Sequence, residues 1–225
     1  MVAGVDACRD GWVSVLLDRP ETGAVPRVEV AGDFATLLDR IGPVEAIGVD
    51  IPIGLPQTGF RELDLEARRQ AGPRGRSVFI TPPRAALEAE DHAEAVKIAR
   101  RLTGQGISRQ THGLREKIFQ VEASLESDPA AVFEVHPELS FAAMRGSPAE
   151  WPKRSWNGMM ERRRLLEREG IHLAAELPRI GTTGADDVLD AAAAAWTARR
   201  IAAGRHHTVP ERPERIGGRL VAIHV

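Results

Sequence analysis

Residues 2–17 of the chain read VAGVDACRDGWVSVLL, two apolar runs that are separated by a short polar turn. The first run ends at Asp6 and the second begins at Trp12, which is the separation of a β-hairpin. Residues 25–30 alternate valine with polar residues and therefore suit a third strand on the edge of this pair. The N-terminal region thus predicts an antiparallel three-stranded unit.

A helix and a central strand follow this unit. Asp33 is placed to cap a helix over 34–41, in which the apolar positions recur at helical spacing, and Gly42 ends it. Residues 46–51 are apolar apart from a glycine and Asp50, a pattern typical of a strand that is buried on both faces. The order strand, helix, strand predicts a right-handed crossover, so this fourth strand should pair in parallel with the first.

A helical insertion is predicted over roughly residues 57–128, between the fourth and fifth strands. An arginine-rich segment without clear periodicity runs through Pro83, and we interpret it as a flap over a site. Two helical patterns follow it, over 85–102 and 110–125. A short apolar strand over 131–135 then returns the chain to the sheet.

The C-terminal part of the chain is predicted to be mainly helical. Its elements are helices over 139–145, 157–169 and 187–203 and a terminal edge strand over 219–225. The inner face of the last long helix is mostly alanine, so this helix can lie very close to a sheet. Together the elements predict an α/β fold, with a mixed five-stranded sheet flanked by helices.

The composition limits the class of protein. A chain of 225 residues with 43% hydrophobic content can bury one sizeable core, so we expect a single domain over 1–225. The net charge of −2 excludes a globally basic protein that coats nucleic acid. Cys8 is the sole cysteine, which excludes an intramolecular disulfide and a multi-cysteine zinc site and makes the cytoplasm the expected location. No apolar run has the length of a membrane span, so no membrane partner is expected.

Several carboxylates lie at the ends or in the middle of predicted apolar elements, and these are the candidate catalytic residues. They are Asp6, Asp50, Glu134, Asp187 and Asp190. The predicted parallel strands place Asp6 and Asp50 at adjacent carboxyl ends, and the start of the last helix can bring its two aspartates to the same place. Buried carboxylates repel one another, and Mg²⁺ or Mn²⁺ resolves that repulsion because these ions prefer oxygen ligands. The expected cofactor is therefore Mg²⁺ or Mn²⁺, held by Asp6, Asp50, Asp187 and Asp190.

Four segments carry a resemblance to a known family. They read GVDACRDGW over 4–12, VDIPIGLP over 49–56, FEVHPE over 133–138 and DDVLDA over 186–191. In these motifs, and over nearly its whole length, the chain resembles the domain of unknown function 429 family. Members of that family are predicted nucleases of the ribonuclease H-like fold, so the resemblance implies this fold and a nuclease activity.

The wider ribonuclease H-like superfamily includes Holliday-junction resolvases. These place one acid on the first strand, one at the end of the fourth and an Asp-x-x-Asp pair on a late helix, a pattern that Asp6, Asp50, Asp187 and Asp190 match. We therefore expect metal-dependent hydrolysis of phosphodiester bonds in nucleic acid of unspecified type. Asp6 would bridge two ions, and Asp50 and one aspartate of the helix pair would each hold one. Glu134 would orient the attacking water.

Each candidate also has a structural interpretation. The two strand-end aspartates can cap strands or pair with arginine, and Glu134 can pair with arginine. Asp187 and its neighbour Asp186 stand where a helix N-terminus favours acids, so capping alone can account for one of them. His136 is a structural histidine before a proline turn in one interpretation and a proton shuttle to a leaving group in the other.

Two other functions use the same sheet. In sugar-kinase and actin-like relatives a hairpin after the first strand binds nucleotide phosphates, and residues 6–11 can do that, although such enzymes duplicate the domain. The third hypothesis is a non-catalytic scaffold for nucleic acid or a protein partner, with its acids neutralised by arginines. The oligomeric state stays open, with a homodimer as one alternative.

Two local basic zones are candidates for contact with phosphates. Five arginines oppose one acid over 66–84, and seven basic residues oppose four acids over 145–169. Trp151 and Trp156 lie in the second zone and can stack on bases. The alternative for both zones is an ordinary solvated surface.

Overall fold

The computed structural model describes residues 1–18, 24–127, 132–177 and 180–225. Its main sheet consists of β1 (Val2–Cys8), β2 (Gly11–Leu17), β3 (Arg27–Ala31), β4 (Ile47–Val49) and β5 (Val132–Glu134). The spatial order is β3-β2-β1-β4-β5. Strands β1, β2 and β3 pair antiparallel, whereas β4 pairs in parallel with both β1 and β5. These pairings confirm the predicted mixed five-stranded sheet.

Helices cover the sheet and occupy the chain between β4 and β5. They are α1 (Phe34–Ile41), α2 (Glu62–Gln70), α3 (Arg84–Glu88), α4 (His92–Thr103), α5 (Arg109–Gly113), α6 (Arg115–Ser127), α7 (Pro137–Arg145), α8 (Trp156–Arg168) and α9 (Ala185–Ala202). A short 3-10 helix, Gly72–Ser77, follows α2. Among the described residues, none of the helices is long and apolar enough to cross a membrane.

Two hydrophobic cores lie on opposite faces of the sheet. The alternation of side chains along β1 sends Ala3 and Val5 to a core that includes residues of α1, α2 and α6. Val2 points to the other face, where α7, α8 and α9 supply the apolar side chains. Asp6 lies on the same face as Val2, because residues two and four positions apart share a face of a strand. The acid of β1 therefore faces α9.

Helix α9 lies almost against the backbone of the sheet. A Cβ atom built on Gly4 of β1 would stand 1.9 Å from the Ala195 nitrogen and 2.1 Å from the Ala191 oxygen. On β4, a Cβ atom on Gly48 would stand 2.6 Å from the Ala194 oxygen. Glycine on the strands and alanine on the helix thus permit the close approach that the alanine-rich face predicts.

Replacement of Gly4 with alanine is expected to destabilise the fold strongly. The added methyl group meets helix backbone that cannot rotate away, so the loss should lie at the upper end of the roughly 1–3 kcal/mol that is typical of overpacked cores. Gly32→Ala is the matched control, because a Cβ atom there would meet nothing within 4 Å. Urea unfolding of both variants measures the difference, and equal stabilities would disprove the close packing of α9.

The insertion contains more helix breaks and more helix than the sequence predicts. The helix predicted over 85–102 is divided into α3 and α4, since Asp91 starts a new helix by accepting a hydrogen bond from the Glu94 N–H (2.9 Å). The helix predicted over 110–125 is likewise two helices, which divide at Leu114. The segment predicted as an irregular flap contains α2. Its apolar periodicity is hidden because Asp64 is among the three residues that α2 buries.

The C-terminal strand belongs to a second sheet. β6 (Thr208–Ile216) and β7 (Arg219–His224) pair antiparallel as a separate two-stranded sheet. A single bridge between Val135 and His224 connects this sheet to the end of β5. The prediction of one terminal edge strand is therefore wrong in part: β6 was missed because its prolines and exposed charged residues give no strand-like alternation.

Candidate metal centre

Three aspartates meet at the carboxyl ends of β1 and β4. Asp6 lies in β1, Asp50 directly follows β4, and Asp190 lies in α9. Each offers one carboxylate oxygen, and these oxygens all lie within 4.8 Å of one another. Asp6 and Asp190 are buried and Asp50 is half-buried. The parallel pairing of β1 with β4 positions the first two, and the close approach of α9 positions the third.

Local hydrogen bonds fix the two strand-end aspartates. The Asp50 N–H donates to the Val5 carbonyl (3.0 Å) and so extends the pairing of β4 with β1 by one residue. The Asp6 carboxylate accepts a hydrogen bond from the Ala7 N–H (2.7 Å). Backbone hydrogen bonds therefore fix the main chain at Asp50 and the carboxylate of Asp6.

The electrostatics of the cluster oppose ionisation of all three carboxylates. Burial raises the pKa of Asp6 well above its usual value of 3.8, and the charges of Asp50 and Asp190 raise it further. Burial also raises the pKa of Asp50 and that of Asp190, each to about 7, although the charge of Lys153 lowers both. The cluster therefore requires additional positive charge when it is fully ionised at neutral pH.

Lys153 supplies part of that charge. Its ammonium group donates to Asp190 Oδ2 from the loop between α7 and α8. Burial alone would lower the pKa of Lys153, but Asp190, Asp6 and Asp50 reverse this effect and raise it, so the side chain stays charged. One ammonium group faces three carboxylates, and Asp190 Oδ1 is buried with no hydrogen-bond partner in the described part of the chain.

This donor set fits a hard divalent cation. All three side chains offer oxygen, which Mg²⁺ and Mn²⁺ prefer over nitrogen or sulfur ligands. The unpartnered Asp190 oxygen gives a buried lone pair that a cation would satisfy. Asp6, Asp50 and Asp190 are therefore the residues that would hold the ion.

Comparison with known proteins assigns a family to this chain. Residues 4–215 match the model of the family that is described as Protein of unknown function (DUF429). The chain belongs to the DUF429 family. The match includes Asp6, Asp50 and Asp190. No curated protein and no solved structure matched the chain.

In this DUF429 member, Asp187 stands beside the cluster and not within it. Its charge helps to raise the pKa of Asp6, and burial and the charge of Asp186 raise its own pKa. Asp187 is not part of the closely spaced group, however, and Asp186 forms an ion pair with Arg154 (3.1 Å). Of the two helix aspartates that the sequence proposes as ligands, the geometry favours Asp190.

Glu134 of the DUF429 chain forms a separate buried network. Its two carboxylate oxygens accept hydrogen bonds from Arg61 Nη2 (2.7 Å) and Nη1 (2.8 Å), and the Ile53 N–H adds a third at 2.7 Å. Arg61 also binds Asp64 of α2 through Nε (3.1 Å). The network satisfies Glu134 from protein donors, which favours its structural interpretation as an arginine partner, and its role in orienting water stays a prediction.

Two residues beside the aspartate cluster of the DUF429 chain are not among the site residues proposed from the sequence. Glu138, in the first turn of α7, is buried and raises the pKa of Asp50 and that of Asp190. Its Oε1 accepts from Arg162 Nη2 (2.6 Å), and its Oε2 is buried without a partner among the described residues. Lys153 is the second. The sequence does single out Lys153 by residue type, because it is one of three lysines in a chain whose other 27 basic residues are arginine.

His136 lies next to this group. Burial lowers its pKa, although the charges of Glu138 and Asp190 oppose the effect. The imidazole is therefore neutral at neutral pH, and its buried Nδ1 lacks a hydrogen-bond partner within the described ranges. A neutral histidine at this place can accept a proton, which keeps the proton-shuttle hypothesis for His136 open to experiment.

Proposed function

We propose that the chain is a divalent-metal-dependent hydrolase of phosphodiester bonds in nucleic acid. The observation that carries the proposal is the approach of Asp6, Asp50 and Asp190 to within 4.8 Å of one another in a largely buried cluster that one lysine does not neutralise. Carboxylate clusters of this kind are the usual protein ligands of Mg²⁺ and Mn²⁺ in phosphoryl-transfer sites.

The proposed fold is ribonuclease H-like. Three features support it: an antiparallel unit of the first three strands, parallel addition of β4 and β5, and acids at the ends of β1 and β4 and on the last long helix. The same placement of acids is the pattern in which the sequence resembles the Holliday-junction resolvases of that superfamily. The sheet order therefore supports the proposed fold, whereas the nuclease proposal depends on the acids that this fold brings together.

Each side chain of the site would have a distinct role. Asp6, Asp50 and Asp190 would hold the metal, which supplies Lewis acidity toward the phosphate and activates water for attack. Lys153 keeps its proton and so acts as a fixed positive charge beside the reacting phosphate, not as a base. His136 is uncharged and can accept the proton that the attacking water loses.

Metal titration tests the proposal directly. Metal-stripped protein should gain about 2.7 kcal/mol of stability at an Mn²⁺ concentration 100 times the dissociation constant, which thermal unfolding detects as a rise of several degrees. Asp190→Asn should lose that gain, because it removes a ligand charge. Asp39→Asn is the matched control, since Asp39 is an exposed aspartate on α1.

Cleavage assays complete the test. Single-stranded, duplex, hybrid and branched substrates should be compared with Mn²⁺ and with EDTA. Mn²⁺-dependent cleavage of any of them supports the proposal. No cleavage, together with no Mn²⁺-dependent stabilisation, would refute it, and stabilisation by ATP instead would favour the nucleotide-binding alternative.

A further inference from the structure

A cleft of about 510 Å³ borders the candidate metal centre. Lys153, which binds Asp190, forms part of its wall, so one side chain contacts both the cleft and the cluster. Its volume falls within the roughly 300–1,000 Å³ of sites that enclose small ligands or single groups of a larger one. A substrate that reaches the aspartates can therefore place part of its structure here.

The wall of the cleft is cationic. Its charged side chains are Arg68, Arg76, Lys153 and Arg154, and no acidic side chain lines it among the described residues. In a chain with a net charge of −2, this is a local concentration of positive charge. Such a wall is complementary to a ligand with several negative charges, and phosphates are matched especially well by the guanidinium group.

The arginines retain hydrogen-bonding capacity. Arg76 is exposed and makes no hydrogen bond or ion pair in the described part of the chain. Arg68 uses Nε to bind the Val78 carbonyl (2.6 Å), which leaves its Nη groups to other partners. Arg154 uses Nε on Asp186 and has a side chain that is 83% exposed. Three guanidinium groups thus have N–H donors free to meet phosphate oxygens.

Two exposed tryptophans flank the same wall. Trp151 is 43% exposed and Trp156 is 70% exposed, and each lies within two residues in sequence of Lys153 or Arg154, whereas the other two tryptophans are buried. Trp156 is the first residue of α8, and Trp151 is fixed to the same helix because its carbonyl accepts a hydrogen bond from the buried Arg162 (3.1 Å). Large aromatic rings at fixed positions beside a cationic cleft are suited to stacking on nucleobases.

Stacking on protein side chains requires bases that are not already stacked in a duplex. Proteins that bind single strands combine a positive groove for the backbone with aromatic rings for the bases. The cleft and the residues 151–156 supply both parts. A duplex would instead need contacts along its regular backbone and grooves, for which the aromatic rings serve no purpose.

We propose that the cleft and the segment of residues 151–156 form a binding track for unpaired nucleic acid that leads to the aspartate cluster. Phosphates lie on Arg68, Arg76 and Arg154, and bases stack on Trp156 and Trp151. This proposal rests on the proposed function, since it names the substrate class of that site. Its test nevertheless requires no catalysis.

Tryptophan fluorescence in EDTA provides the test. A thymidine oligonucleotide should quench the emission of the exposed tryptophans of the full chain and bind about tenfold more tightly than a duplex of equal length. Trp156→Ala should weaken binding about tenfold, in line with loss of one stacked base. Trp156→Phe should retain most of the affinity but lose much of the quenching, because the ring remains while the fluorophore is removed.

The arginine variants test the phosphate contacts. Arg76→Ala should weaken binding and reduce the slope of log affinity against log salt by about one. Arg212→Ala is the matched control, an exposed arginine of β6 that does not line the cleft. Circular dichroism of each variant confirms that it folds.

The outcomes separate the two proposals. Equal affinity for duplex and single strand, or unchanged binding by both Trp156→Ala and Arg76→Ala, would overturn the track. Absence of any binding would do the same. Tight single-strand binding with neither Mn²⁺-dependent cleavage nor Mn²⁺-dependent stabilisation would keep the track and refute the nuclease, whereas cleavage confined to duplexes would have the opposite result.

Discussion

Asp6→Asn is expected to reduce Mn²⁺-stimulated cleavage by on the order of 10³-fold. A metal ion contributes several kcal/mol to stabilisation of the transition state, and each ~1.4 kcal/mol corresponds to a factor of ten in rate. Asp6 is the most buried strand carboxylate of the cluster and is close to both other aspartates. The asparagine amide can still accept the hydrogen bond of the Ala7 N–H, so the local backbone should stay in place.

The same variant should be at least as stable as the wild type without metal. The pKa of Asp6 is raised in the folded state, so the folded wild type binds more protons than the unfolded chain above pH 3.8 and loses stability as the pH rises. Asparagine does not titrate. The advantage of the variant should therefore be absent near pH 3, grow through the range above pH 4, and level off once Asp6 is ionised in both states.

Urea unfolding in EDTA at several pH values measures this effect, and initial rates with Mn²⁺ measure the loss of cleavage. Asp39→Asn should leave both unchanged. An Asp6→Asn variant that cleaves at the wild-type rate would remove Asp6 from the metal centre. A variant that is less stable than the wild type at pH 8 would contradict the crowding of charge in the cluster.

Arg61→Met is expected to destabilise the fold by about 3–5 kcal/mol, the usual loss when one partner of a buried ion pair is removed. The Arg61 side chain is 1% exposed and joins Glu134 of β5 to Asp64 of α2. Burial alone would lower its pKa, but the two carboxylates reverse this and raise it, so the guanidinium is charged. Methionine fills a similar volume but leaves two buried carboxylates without their counterion.

Compensating variants make this prediction specific. Arg61→Lys should restore little, because an ammonium group cannot reproduce the paired hydrogen bonds to Glu134 and Asp64. Adding Glu134→Gln to Arg61→Met should recover part of the loss, since it removes one unpaired charge. The deficit of Arg61→Met should also shrink as the pH falls, because burial raises the pKa of Glu134 and its protonation removes an unpaired charge.

Arg69→Met is the control, on the helix α2 that Arg61 directly precedes. Arg69 pairs with Glu66, but its side chain is 69% exposed, and exposed pairs contribute at most about 1 kcal/mol. Urea midpoints of the Arg61 and Arg69 variants should therefore differ widely. If the two were alike, the network around Arg61 would have no structural importance.

The sheet and the meeting of three aspartates were predictable because local rules determine them. The hairpin distance after Asp6 and the crossover to residues 46–51 predict the pairing of β1 with both neighbours, and that pairing brings Asp6 and Asp50 together. The alanine face of α9 predicts a helix close to the sheet, and Asp190 stands at the head of that face. Periodicity and topology were sufficient in each case.

The partners of the buried acids were not predictable, because they depend on contacts between distant parts of the chain. Glu134 ends β5 and Asp50 follows the neighbouring β4, so the two look alike in the sequence, yet Arg61 is 73 residues from Glu134 and neutralises only that one of the two. Lys153 reaches Asp190 from a loop that has no recognisable motif. A single sequence indicates some of the buried charges, whereas the fold decides which of them are already paired.

The contact between Gly4 of β1 and the alanines of α9 has one more consequence. This contact sets the distance between Asp190 and Asp6. Helix α9 cannot come nearer because its backbone already touches Gly4, and no side chain on Gly4 holds it further away. A larger residue at this contact would move α9 away from the sheet and increase the distance between Asp6 and Asp190. Tolerance to mutation should therefore be low at contact residues such as Gly4, although they do not touch the metal. Substitutions that enlarge these residues would affect metal binding as well as folding.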